Sequence, residues 1–105
     1  MTEAVEVALT LPIRQSFTYG VPLHLQGLLH QGHAVLVPFG KRTVSGYVLD
    51  VDPVIDFDRS KLKPVSRLLD PEPVFNARQL QFFQWIANYY LSPLGEVIAT
   101  ALPSV

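Results

Sequence analysis

The first half of the chain alternates apolar and polar residues with the period of a β-strand. "AVEVAL" sets Val5, Val7 and Leu9 on one face and Glu6 on the other, which predicts a half-buried strand ended by Pro12. "SFTYGV" repeats the pattern, with Phe17, Tyr19 and Val21 on one side, Ser16 and Thr18 on the other, and Pro22 as the stop. "LHLQGLLHQGH" then crosses to the next strand with Gly27 and Gly32 as turning points. "AVLVPF" and "SGYVLDV" read as a hairpin around a Gly40-Lys41-Arg42-Thr43 tip. Pro38 has no N–H to donate, so it belongs at a strand end or on an edge. "DPVIDFDRSKLKP" is polar and reads as a surface loop, and "VSRLLD" as a further short strand.

The period changes in the tail. "NARQLQFFQWIANYYL" carries Leu80, Phe83, Ala87 and Tyr90 at helical spacing, with Asn76 and Gln79 placed for a capping box. Ser92 before Pro93 suits the cap of a second helix, from Leu94 to about Ala101, and Pro103 closes it. The aromatic run "FFQWIANYY" is read as core packing rather than as a stacking platform. The expected fold is therefore α+β and mainly β. A small barrel-like sheet of about five or six strands (about residues 1–72) is closed by two C-terminal helices (about 76–102), and residues 1–105 form one domain.

Composition narrows the chemistry. With 49% apolar and 16% charged residues the chain is globular, and without cysteine it has neither disulfides nor thiolate metal ligands. The start "MTEAVEVALTLP" has no basic n-region and does not read as a signal peptide, and no apolar run reaches the ~20 residues of a membrane span. Net charge is −1, so the domain is not a generic polyanion binder. Lys41, Arg42, Arg59, Lys61, Lys63 and Arg67 nevertheless cluster, interspersed with Asp50, Asp52, Asp56 and Asp58. A nucleic acid held here would engage few phosphates and show a shallow salt dependence.

The hairpin tip is not a phosphate loop. That motif needs Gly five residues before Gly40 and Ser or Thr after Lys41, where Val35 and Arg42 stand. Two readings stay open for it: a turn with solvated charges, or a corner where Gly40 lets a ligand approach the backbone while Lys41 or Arg42 meets a phosphate. Phe17 and Tyr19 can be core residues or can stack on a base, and Lys61 and Lys63 sit on one side of an extended segment. His24, His30 and His33 lack the spacing of a metal site and are read as surface loop residues. No nucleophile–base constellation is present, so the fragment is read as non-catalytic, with no cofactor of its own.

In order along the chain, "RQSFTYGVP", "VLVPFGKRTVSGYVLDV", "KLKPVSRLLDPEPVF" and "WIANYYLSPLGEVIATALP" strongly resemble the N-terminal domain of PriA, the replication-restart helicase family also called primosomal protein N′. The resemblance covers essentially the whole chain and implies an excised domain. It implies a pocket for the 3′ end of the nascent leading strand at a stalled or repaired fork, formed by Phe17, Thr18, Tyr19, Gly40 and Lys63, with Lys41, Arg42 and Lys61 as phosphate contacts. Family members often carry Asp where this chain has Thr18, which removes a charge that would reject an internal phosphate. The resemblance further implies a bacterial, cytoplasmic, nucleoid-associated protein. Its partners would be DNA with a free 3′ end (a fork or D-loop), the helicase lobes of its own chain, other primosome proteins and single-strand-binding protein, with no membrane. ATP with magnesium and zinc would belong to the full-length helicase.

Two other functions fit the pattern less well. One is a docking domain that orients the helicase core through its C-terminal helices without touching DNA. The other is a small barrel that binds a nucleotide cofactor, which no Gly-rich cradle supports.

Overall fold

The computed structural model describes residues 3–53 and 61–102. Its strands are β1 (Ala4–Leu9), β2 (Phe17–Gly20), β3 (Ala34–Phe39), β4 (Arg42–Val51) and β5 (Arg67–Leu68), with a 3₁₀ turn at Leu23–Leu25. Two helices follow, α1 (Ala77–Tyr89) and α2 (Leu94–Ala101). The five strands form one antiparallel sheet in the order β2-β1-β4-β3-β5. The fold is mainly β with two C-terminal helices, as the patterning predicts, but among the described residues the sheet does not close, and the barrel-like form is not confirmed. The two edges approach without forming a full ladder: β5 pairs with β3 at Val35 and Leu36, while the chain just before it bridges to β2 at Gly20 and Pro64. The strand expected over "VSRLLD" thus shrinks to two residues. Residues 54–60 of the expected surface loop, Arg59 among them, lie outside the described residues.

Two cores share the sheet. On the inner face Val5, Val7, Leu9, Tyr19, Val35, Val37 and Val48 pack with Leu25, Leu29 and Val65. On the outer face Ala8 and Leu49 pack with Phe75, Leu80, Phe83 and Ile98 beneath the helices. β1 is consequently buried on both faces over much of its length, more than a half-buried strand. Gly46 and Gly95 let neighbouring backbones close on it: a Cβ at Gly95 would stand 1.9 Å from the Leu9 carbonyl oxygen. Gly32 turns the chain at φ +97° and lies as tightly against Phe75.

The capping box of α1 is present: the Gln79 N–H donates to the Asn76 side chain and the Asn76 N–H to the Gln79 side chain, both at 2.9 Å. Leu80, Phe83 and Ala87 are buried, but Tyr90 is 67% exposed, contrary to its place in the helical pattern. The helix ends first. Leu91 takes φ +52°, and the Ser92 N–H turns back to donate to the Ala87 carbonyl at 2.8 Å, a Schellman closure that swings Tyr90 into solvent. Ser92 is not the cap of α2. Pro93 holds that position in an extended conformation without a side-chain bond, and the Ser92 hydroxyl donates to Tyr90 instead.

Two further expectations are overturned by burial. The aromatic run on α1 is not uniformly core, since Phe82, Trp85 and Tyr89 are 58, 60 and 67% exposed. Only Phe83 of that run carries a ring into the outer core, because α1 lies on the sheet along one narrow stripe. His33 is 1% exposed rather than a surface residue. Its Nδ1 accepts from the His30 N–H at 2.8 Å and its Nε2 donates to the Pro71 carbonyl at 3.1 Å, so both ring nitrogens are satisfied inside the fold. His24 and His30 are exposed, as expected.

Candidate nucleic-acid interface

Three segments distant in sequence meet at one end of the curled sheet. The first is the β3–β4 hairpin. Phe39 pairs directly with Arg42, so its tip is Gly40 and Lys41, while Arg42 and Thr43 belong to β4. Gly40 has φ +61° at the first central position, the place where a type II′ turn calls for glycine, and a Cβ there would meet nothing within 4 Å. Pro38 is tolerated because β5 does not extend far enough to need its missing N–H.

The second segment is β2. It is not a neighbour of β3 in the sheet, yet the curl brings the Phe17 ring within 5.4 Å of Phe39 in an edge-to-face contact. The Tyr19 hydroxyl donates to the Pro38 carbonyl at 2.8 Å and ties β2 to the hairpin. Burial pushes the Tyr19 phenol above its ordinary pKa, which keeps that donor protonated. The third segment is Lys61–Lys63. The Gly20 N–H donates to the Lys63 carbonyl at 2.8 Å and the Val65 N–H to the Gly20 carbonyl at 2.9 Å, fixing this stretch beside β2.

Between the three segments lies a cavity of about 430 Å³. Phe17, Thr18, Tyr19, Gly40, Lys61 and Lys63 all line it. Lys41 and Arg42 do not; they stand exposed on the hairpin beside its rim. Gln15, Ser16, Pro38, Phe39 and Leu62 complete the described lining, and the sequence reading gives none of them a binding role. The signal for Phe39 was its adjacency to Gly40 in "VPFGKR", and for Ser16 its adjacency to Phe17.

Both aromatic residues of β2 belong to or pack on the core and also line the cavity. Tyr19 is 4% exposed and belongs to the inner core, while its upper edge still forms cavity wall. Phe17 is half-buried and packs against that core. Half-buried rings beside two exposed ammonium groups are chemistry that suits an aromatic, anionic ligand of nucleotide size, because a ring can stack on any base and each lysine can meet a phosphate. Among the described residues no group of three or more His, Cys, Asp or Glu is placed to hold a metal, and no helix is long and apolar enough to cross a membrane.

Comparison with known proteins supplies the family. The 3′DNA-binding domain (3′BD) family of PriA matches residues 6–103. A replication restart protein PriA from Haemophilus influenzae is 38% identical over 99 residues, covering 94% of this chain and 13% of its own. The Bacillus subtilis protein of the same name is 33% identical over 95 residues, covering 90% of this chain and 12% of its own. That of Treponema pallidum is 31% identical over 108 residues, with 99% and 16% covered. The chain thus spans about an eighth of the length of the relatives it matches. With a match over nearly every residue, the chain belongs to the 3′DNA-binding domain family of the replication restart protein PriA.

Proposed function

We propose that this domain holds the free 3′ end of a DNA strand, with the terminal nucleotide in the cavity between β2, the hairpin tip and Lys61–Lys63. One observation carries the reading. Residues separated by more than forty positions in sequence, Phe17 and Lys63 among them, converge on a single nucleotide-sized cavity in a member of a 3′DNA-binding family. In a longer polypeptide such a domain would seat a helicase on the nascent leading strand of a stalled fork or D-loop. Its modest affinity would be raised by tethering to further DNA-binding surfaces.

The test is a titration with short oligonucleotides that end in a 3′-hydroxyl or a 3′-phosphate. The hydroxyl end is expected to bind more tightly. Lys63→Ala is expected to weaken it about fivefold at low salt, with a salt slope of only about −1 to −2. Equal affinity for both ends, or for a circular strand without ends, removes the end-binding reading. Tyr19→Ala is a poor probe despite its place in the wall, because emptying this core position costs about 3–5 kcal/mol of stability.

The α1 surface favours a second role beside the first. Phe82, Trp85, Tyr89 and Tyr90 are exposed, with Trp85 stacked on Tyr89 at 5.4 Å, and no charged residue occurs from Gln79 to Gly95. Aromatic enrichment with charge depletion is the composition of an interface centre, and the missing cations make a DNA backbone an unsuitable occupant. A face of another part of the longer polypeptide fits it. Replacing Trp85 and Tyr89 by Ser is expected to leave the isolated domain's melting temperature and DNA affinity unchanged. In the full-length protein the same change should speed proteolytic release of the domain; an unaltered release rate rules the docking role out.

A further inference from the structure

The end-binding reading leaves an electrostatic problem. Lys61 and Lys63 both line the cavity, and Lys41 and Arg42 stand at its rim. Cations alone would favour a 3′-phosphate over a 3′-hydroxyl, because the phosphate adds negative charge where the hydroxyl adds none. Thr18, the polar side chain of the β2 wall, is uncharged and offers an acceptor but no repulsion. Selection of a hydroxyl end therefore calls for a negative charge, and among the described residues the lining contains none.

The sheet register supplies one. Glu6 is the direct cross-strand partner of Thr18 in the β1–β2 ladder, which puts the two side chains on the same, outer face of the sheet. The Ser16 hydroxyl donates to Oε2 of Glu6, and Ser16 also lines the cavity. One side chain therefore touches both the carboxylate and the ligand space. Behind Glu6, Asp50 is its partner on β4, so Thr18, Glu6 and Asp50 form a row across three adjacent strands. Glu6 also borders a second groove of about 590 Å³ that includes Arg14 and shares Gln15 and Ser16 with the cavity. Among the described residues, the field at Thr18 is accordingly that of two carboxylates set against Arg14 and the cavity lysines.

We infer that Glu6, acting through Ser16 and across from Thr18, is the specificity-determining charge that makes the site reject a 3′-phosphate while leaving a 3′-hydroxyl bound. Glu6 works as a positioning residue. Its carboxylate fixes the Ser16 hydroxyl, leaving the Ser16 and Thr18 oxygens free to accept from the terminal sugar, and its charge raises the cost of a phosphate there. At partial burial the repulsion acts over one strand spacing and weakens with added salt. Asp50, one strand further away and exposed, contributes less.

This inference rests on the end-binding reading, and one experiment separates the two. Matched oligonucleotides ending in 3′-hydroxyl and 3′-phosphate are titrated against the parent, Glu6→Gln and Asp50→Asn, at low and at high salt. Glu6→Gln is close to isosteric, keeps an acceptor for Ser16 and removes only the charge. The parent is expected to prefer the hydroxyl end. Glu6→Gln should keep hydroxyl affinity within about twofold while tightening the phosphate end about five- to tenfold at low salt, and Asp50→Asn should change the ratio less. A preference in the parent that Glu6→Gln leaves intact overturns the role of Glu6 and spares end-binding. A parent without preference overturns both. If Glu6→Gln weakens both ends equally, the residue is structural and the inference fails, with the far-ultraviolet circular dichroism and melting temperature of each variant checked alongside.

Discussion

Gly95→Ala is expected to be severely damaging for a single added methyl, costing about 3 kcal/mol or more and lowering the melting temperature by about 12 °C or more. The added Cβ would lie 1.9 Å from the Leu9 carbonyl oxygen and 2.5 Å from its carbon. Both are backbone atoms of a strand fixed between two neighbours, so neither can swing aside. Relief requires α2 to back away from β1, which opens the contact of Ile98 and Leu94 with the outer core. A domain of this size has ~5–15 kcal/mol of stability in total, so the loss is a large fraction of it. Gly27→Ala is the control. It also has positive φ, at +78°, but a Cβ there meets nothing within 4 Å, and its cost should stay near ~1 kcal/mol. Urea melts of the two variants decide the matter. Similar midpoints for both would mean that α2 is not seated on β1 as described.

The second large effect is on binding. Phe17→Leu is expected to weaken a 3′-ended oligonucleotide by about tenfold or more, since stacking on an aromatic face is worth ~1–3 kcal/mol per base. The fold should survive, because Leu fills much of the same half-buried space against Phe39 at a cost below ~1.5 kcal/mol. The loss should be much the same whichever base ends the strand, as every base has a π-face. Calorimetric titration with four oligonucleotides differing only in the last base measures this directly. Undiminished affinity would show that Phe17 is only a wall of the core.

Placing these two substitutions needed different kinds of information. Alternation along the chain places Phe17 on the face of Tyr19, and the family resemblance implies its cavity neighbours. Gly95 has no such signal. It sits in "SPLGEV" like any glycine near a helix start, and nothing local says that its Cα touches another backbone. The same contrast runs through the helices. Asn76 and Gln79 announced the start of α1 because a capping box is made within one turn. The far end depended on Leu91 adopting a left-handed conformation that residues of its type seldom take, and so Tyr90 and its aromatic neighbours were assigned to a core they do not enter.

What the amino-acid sequence determined by itself is everything set by short-range physics. Strand and helix periods, the glycine corner of the hairpin, the capping box and the family likeness all follow from residues a few positions apart or from their order. The tertiary structure alone decided the open edge of the sheet, the burial of His33, the exposure of Trp85 and the register that sets Glu6 across from Thr18. Each of these depends on which distant segments share a surface. That choice is made by the curl of the sheet and the seating of the helices on it, a balance of burial and hydrogen bonding over the whole domain that no local pattern encodes.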